Sequence, residues 1–259
     1  MSIYIQKEPL SESSRGKKLI KTQSEIIEAI VTEALGKPDL PVLSSFSGAH
    51  MFAVMNESAT GLCSKISGLE QQASSGFSSD SVHDMVKYLE CQNTNNASWG
   101  LAAINSLLNC GTAGQEIKVQ ELIHSVGQDK NVAIVGHFPF VEKMGRDFKN
   151  FWVLELIPQD MDISENLKND ILPKADLVAI TATTLLNGTL GEILSLTRKD
   201  AVRIMLGPST PLASCLLDMG FDYLGGARVN DSRKVSAGIR KGLPFRKMDG
   251  VGFVLVSKK

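Results

Sequence analysis

Apolar residues are arranged differently in the two halves of the chain. In the first, they recur mainly with helical spacing. Thr22-Gln23-Ser24-Glu25 has the form of a capping box, and Ile27, Ile30, Val31, Ala34 and Leu35 line one face of the helix it opens. Gly36 and Pro38 end that helix. Residues 41–43, 51–55 and 62–66 read as strands, with a hairpin-like loop over 56–61. Val82, Met85, Val86 and Leu89 then sit at i, i+3, i+4 and i+7. A second helix runs from about Asn96 to Asn109, and a third carries Val119, Leu122, Ile123 and Val126. The polar stretch 11–18 reads as exposed, and 71–81, rich in Ser, Gln and Gly, as a linker.

From Asn131 onward, short apolar runs alternate with helix-period segments. Residues 132–135, 152–154, 177–180 and 202–206 are continuous apolar strands, and 221–224 and 252–256 are shorter ones. Between them lie Val141, Met144 and Phe148; Asp162-x-x-Glu165 with Leu167 and Ile171; Leu190, Ile193 and Leu194; and Leu212, Cys215, Leu216 and Met219. Strands buried on both faces and alternating with helices predict an α/β fold with a doubly wound parallel sheet. The last helix, over 231–242, carries Arg233, Lys234, Arg240 and Lys241, which read as a solvated face.

Composition narrows the function classes. At 43% hydrophobic and 21% charged the chain can bury a sizeable core. Its 27 basic residues face 28 acidic ones, so it lacks the electrostatic footprint of a nucleic-acid binder or an anionic-membrane binder. Aromatic residues are only 6%, which gives little material for base stacking. No apolar run nears the roughly 18 residues of a membrane span, and the first residues lack a secretory pattern. Cys63, Cys91, Cys110 and Cys215 form no Cys-x-x-Cys pair, so a cytoplasmic location is expected. The partner class that remains is a small molecule.

In a parallel sheet, ligands bind at the loops leaving the carboxyl ends of the strands, where strand order reverses. Those exits are Gly136-His137-Phe138-Pro139; Glu155, with Pro158 beyond; Thr181 to Thr189, including Thr183, Asn187 and Gly188; Gly207-Pro208-Ser209-Thr210-Pro211; and Gly225-Gly226 leading to Asn230-Asp231. Ser209 or Thr210 is placed to cap a helix starting at Pro211, and Asn187-Gly188-Thr189 leads into the helix of Leu190. Helix-start amides attract anions, so each loop reads as either an anion site or an ordinary cap. A strand order of 3-2-1-4-5 would put His137 and Ser209/Thr210 on one pocket.

Glu155 follows Gly136 at close to the spacing of about 20 residues that a dinucleotide fold uses for its ribose-binding acid. The G-x-G-x-x-G and G-x-x-x-x-G-K-[ST] fingerprints are absent, which disfavours NAD and nucleotide triphosphates but leaves an adenosyl ligand open. Glu155 otherwise pairs with a neighbouring cap. His50, His83, His124 and His137 show no zinc-ligand spacing. His137, the one histidine at a strand exit, is the candidate metal ligand, with packing or capping as the alternative.

Five motifs occur in order: Val135-Gly136-His137-Phe138-Pro139, Glu155-Leu156-Ile157-Pro158, 181–190, Gly207-Pro208-Ser209-Thr210-Pro211-Leu212 and Asn230-Asp231. With the helix 98–109, Ser98-Trp99-Gly100-Leu101 through Asn109, this set resembles the bacterial and archaeal family of unknown function labelled putative heavy-metal chelation domain. The resemblance implies a small N-terminal domain like the amino-terminal domain of enolases (1–95), then a Rossmann-like domain (96–259), with a ligand site in the cleft between them. The chain departs from the family pattern where Gly191 intervenes before Glu192.

Two function classes follow. One is a protein that binds or processes a metal chelate or small anionic ligand. Its donors would be His137, Glu155, Thr183, Asn187, Thr189, Ser209, Thr210 and Asp231, within a ligand-binding set that also holds Gly136, Phe138, Pro139, Thr181, Gly188, Gly207 and Asn230. This oxygen-rich set suits a hard or already chelated metal. The other is a transferase or lyase with an adenosyl or similar cofactor, in which Glu155 holds a ribose and His137 or Asp231 moves a proton. A scaffold with a vestigial pocket is a blander third reading. Folds of this kind commonly form homodimers, and the sequence is compatible with one.

Overall fold

The computed structural model describes residues 22–66, 68, 79–112, 114–115, 119–144, 147–159 and 162–258. The polar stretch 11–18 and most of the 71–81 segment lie outside the described residues.

The capping box opens α1 (Gln23–Leu35): the Thr22 hydroxyl accepts from the Glu25 amide, and the Glu25 carboxylate accepts from the Thr22 amide at 2.7 Å. Ile26, Ile27, Ile30, Val31 and Ala34 form its buried face. β1 (Val42–Ser47), β2 (Met51–Asn56) and β3 (Thr60–Ser64) make an antiparallel sheet in that order. α2 (Val82–Val86) tightens into a 3₁₀ turn before α3 (Thr94–Leu108). α3 is buried on nearly every side, its polar Ser98, Asn105 and Ser106 included, because other elements enclose it. β3 crosses it so closely that a Cβ on Gly61 would collide with the Ala102 carbonyl.

After α4 (Val119–Gly127) comes the larger sheet. Its strands are β4 (Asn131–Val135), β5 (Asn150–Glu155), β6 (Ile163–Ser164), β7 (Leu177–Thr181), β8 (Val202–Leu206), β9 (Tyr223–Val229) and β10 (Val251–Ser257). Between them lie α5 (Lys168–Ile171), α6 (Leu190–Leu196), α7 (Ser214–Asp218) and α8 (Ser232–Arg240). The order is β10-β9-β8-β7-β4-β5-β6, parallel except for β10 against β9. Alternate residues of the central strands face opposite cores. Ala133, Val135, Val178 and Ile180 share a core with α1, α3 and α6, and Val132, Ile134, Leu177 and Ala179 share one with α4.

Two expectations are corrected. Counting only the six strands read from the sequence, the order is 2-1-3-4-5-6 rather than 3-2-1-4-5, because β4 pairs with β7 and not with β8. The switch point therefore joins the first and third strand exits. Among the described residues of 141–148, helical structure is confined to a 3₁₀ turn over Val141–Lys143. Phe148 instead stacks on Phe151 at 5.3 Å. Among the described residues, no helix is long and apolar enough to cross a membrane.

Candidate ligand-binding cleft

At the switch point the exits of β4 and β7 touch. Gly136 has φ +102°, and a Cβ there would lie 2.7 Å from Thr181 Cγ2, so this turn requires glycine. The next residue is held from two sides. Glu155 Oε2 accepts the His137 amide at 2.7 Å while Oε1 accepts the Leu156 amide at 2.7 Å. His137 Nδ1 lies 2.9 and 3.0 Å from the two Asp162 carboxylate oxygens. Asp162 has a fully buried side chain and also accepts the Gln159 amide at 3.0 Å, whereas the His137 side chain is 21% exposed. With Nδ1 engaged, Nε2 is the ring nitrogen left for a ligand.

The β7 exit supplies hydroxyls. Thr181 Oγ1 and Thr183 Oγ1 are 3.0 Å apart, and Thr184 Oγ1 donates to the Thr181 carbonyl. Asn187 Oδ1 accepts from both the amide and the hydroxyl of Thr189, through a turn in which Gly188 has φ +78°. The β8 exit is held from behind by α3. Asn105 Nδ2 donates to the carbonyls of Leu62 (2.8 Å) and Ser209 (3.0 Å). Asn109 Nδ2 donates to those of Thr210 (3.0 Å) and Ala227 (3.1 Å), and its Oδ1 accepts the Leu212 amide at 2.9 Å. Ser209 Oγ accepts the Ser64 amide at 2.8 Å.

The expected caps of the following helices are replaced from afar. α7 begins at Ser214, not Pro211, and Glu33 of α1 accepts the amides of Ser214 and Cys215, each at 2.8 Å. Gln23 Oε1 accepts the Gly191 amide of α6 at 3.0 Å. These amides are therefore not available to an anion. Burial pushes the Glu33 carboxyl up, but the hydrogen bonds from Cys215 and Ser214 outweigh it, leaving it below the ordinary glutamate range. Glu192 pairs with Lys168 at 2.8 Å, and Lys168 also reaches Glu165 at 3.0 Å.

A cavity of about 1430 Å³ opens at this edge. Gly136, His137, Phe138, Pro139, Glu155, Thr181, Thr183, Asn187, Thr189, Gly207 and Ser209 line it. Gly188 and Thr210 are not in its lining; Thr210 is fully buried. Asn230 and Asp231 also lie outside it, and Asp231 caps α8 by accepting the amides of Arg233 and Lys234. Two aromatic pairs also line it: Phe138 stacks on Phe140 at 5.3 Å, and Phe245 meets Phe253 edge-on at 5.0 Å. The small sheet contributes Ser64, Lys65 and Ile66. Sequence reasoning named Phe138 but not Phe140, Phe245 or Phe253, and it placed Asp162 in a helix-period segment rather than at the site.

The donor set does not suit a bare heavy-metal ion. Among the described residues, no three His, Cys, Asp or Glu side chains gather where they could hold one. The Glu155 oxygens each accept an amide, and His137 is a single imidazole. Burial pushes the Cys63 thiol up to about 12, and burial with the neighbouring Glu33 does the same to Cys215. Neither is a ready thiolate.

Comparison with known proteins places the chain. Solved structures of DUF364-family proteins share its fold. That from Desulfitobacterium hafniense has a TM-score of 0.80 at 24% identity and covers 91% of this chain and 98% of its own. That from Pyrococcus horikoshii has a TM-score of 0.79 at 22% identity and covers 91% and 99%. An uncharacterized protein of Methanocaldococcus jannaschii is 28% identical over 145 residues, 52% of this chain; the chain spans 55% of that relative's length. The DUF364 family, described as "Putative heavy-metal chelation", matches residues 118–255, more than half of the sequence. The chain belongs to that family.

Proposed function

We propose that the cleft binds a small oxygen-rich ligand, and that a metal enters it already wrapped in an organic chelator. The observation that carries this reading is the mixed lining of the cavity. Hydroxyls and amides from the β7 exit share it with the stacked pair Phe138–Phe140. Pockets of this kind orient a ligand with a few polar groups and bury the rest on apolar surface. The family description points to metal, while the donor set argues against a naked ion, and a chelate reconciles the two. Its outer oxygens would accept from the Thr183 hydroxyl and the Asn187 side-chain amide.

The adenosyl alternative draws less support. Glu155, its expected ribose partner, has both oxygens on backbone amides. Equilibrium dialysis against ferric citrate and against Ni²⁺ alone tests the proposal. Ferric citrate should bind at one per chain and Ni²⁺ should not. Thr183→Val and Asn187→Ala should each weaken citrate-complex binding about tenfold, roughly one hydrogen bond in a partly dry site. Stoichiometric Ni²⁺ binding with no chelate binding would overturn it.

A further inference from the structure

The His137–Asp162 pair is built more elaborately than ligand contact alone requires. The imidazole has one nitrogen on both oxygens of a carboxylate whose side chain is fully buried, at 2.9 and 3.0 Å. The carboxylate is itself aimed by the Gln159 amide, and the His137 backbone is fixed by Glu155. Asp162 therefore selects the tautomer with hydrogen on Nδ1 and leaves a lone pair on Nε2. His137 lines the cavity beside the Thr181 and Thr183 hydroxyls and the Phe138–Phe140 pair. A base oriented by a third group, at a strand-exit edge with room for a ligand, is the arrangement of general acid–base catalysis.

We propose that His137 is a proton-transferring group acting on the ligand bound in this cleft, with Asp162 as its positioning residue. Nε2 takes a proton from an acidic O–H, N–H or C–H of the ligand, and the electron pair of the broken bond stays on the ligand. The Nδ1 hydrogen remains between the ring and Asp162, whose negative charge offsets that of the imidazolium. The proton then returns from Nε2 to the product or to water, so nothing is oxidised or reduced. The ligand class is one with an acidic proton, such as a donor hydroxyl of a chelator. The proposal rests on the cleft being the ligand site.

The test uses 5-nitrobenzisoxazole, a flat aromatic probe that suits the stacked phenylalanines. Base removes its C3 hydrogen, the N–O bond breaks, and a coloured cyanophenolate forms with no other reactant. With EDTA present, the full chain should accelerate this elimination about a hundredfold over free imidazole at equal concentration. His137→Gln should lose at least about tenfold of the rate, and His137→Ala should regain part of it when imidazole is added. Asp162→Asn should lower kcat with KM unchanged, and Asp162→Glu should restore part of it.

Several outcomes overturn the proposal: a wild-type rate no better than imidazole, a His137→Gln rate equal to wild type, or activity that EDTA abolishes and Zn²⁺ restores. An Asp162→Asn variant as fast as wild type removes Asp162 from it. If the His137 variants do not fold, site-resolved carbethoxylation of the wild type decides. His137 reacting faster than the exposed His50 supports the proposal, and slower overturns it. Ferric citrate binding without elimination would sink the dyad alone, whereas losing both would sink the cleft.

Discussion

The loops leaving β4 and β8 look alike in sequence, since both begin with a positive-φ glycine and continue through proline and a polar residue. Their polar atoms point to different tasks. At the β8 exit, the carbonyls of Ser209 and Thr210 and the Leu212 amide are bonded to Asn105 and Asn109 of α3, and the Ser209 hydroxyl holds the small sheet through Ser64. At the β4 exit, the bonds come from Glu155 and Asp162 to His137, a residue lining the cavity, and they engage its backbone amide and Nδ1 rather than Nε2. One loop joins the two sheets and the other presents chemistry. Small polar residues at a strand exit become informative only once their partners are known.

The sharpest way to break this comparison is to remove the anchor of the β8 loop. Asn109→Ala strips partners from the Thr210 and Ala227 carbonyls and the Leu212 amide, all in buried surroundings. It should cost about 3 kcal/mol in urea unfolding, because unsatisfied buried groups cost about 1–3 kcal/mol each. A loss below about 1 kcal/mol would mean that α3 does not hold the loop. The matching change at the other exit, Gly136→Val, forces a branched side chain into a φ of +102° and against Thr181. It should cost about 2 kcal/mol and lower ferric citrate binding, since it pushes the turn that carries His137 away from the β7 exit.

Glu33→Ala tests whether the fold, rather than a ligand, fills the amides at the start of α7. It should cost about 1 kcal/mol, the usual value of a lost helix cap. Because the folded-state pKa of Glu33 is depressed, this contribution is fully present above the unfolded value of about 4.3. It is lost as pH falls through the lower folded value. The melting temperatures of wild type and variant should therefore converge in acid; a gap that widens would contradict the assignment. The smallest effect is expected from Thr210→Val. Thr210 is fully buried and its Oγ1 has no hydrogen-bond partner among the described residues, so the change should fall within about 0.5 kcal/mol of neutral or stabilise. A loss above about 1 kcal/mol would expose a partner for that hydroxyl.

Much of the fold was legible because its signals are local. The Thr22–Glu25 capping box and the continuous apolar strands need no knowledge of their neighbours. The spacing of Val141, Met144 and Phe148 misled because a loop folding Phe148 onto Phe151 can mimic helical period over eight residues. Strand order was not legible, and the site depends on it. Asp162 meets His137 only because β5 lies beside β4, and from sequence the same aspartate, three residues before Glu165, has the form of a helix cap. Nothing local to Gln23 or Glu33 marks them out, yet they cap α6 and α7 from more than 160 residues away. Phe245 and Phe253 join the cavity lining through the turn before β10 and through β10 itself, which no spacing rule connects to the β4 exit.

The most direct test of the account is to map where a chelate binds. Amide NMR spectra of isotope-labelled protein would be recorded with increasing gallium citrate, a diamagnetic stand-in for the ferric complex. The account predicts saturable shifts concentrated at Gly136–Phe138, Thr181–Thr184, Asn187 and Thr189, with Asn230 and Asp231 unmoved. Shifts centred on Asn230 and Asp231, or none at the β4 and β7 exits, would contradict it.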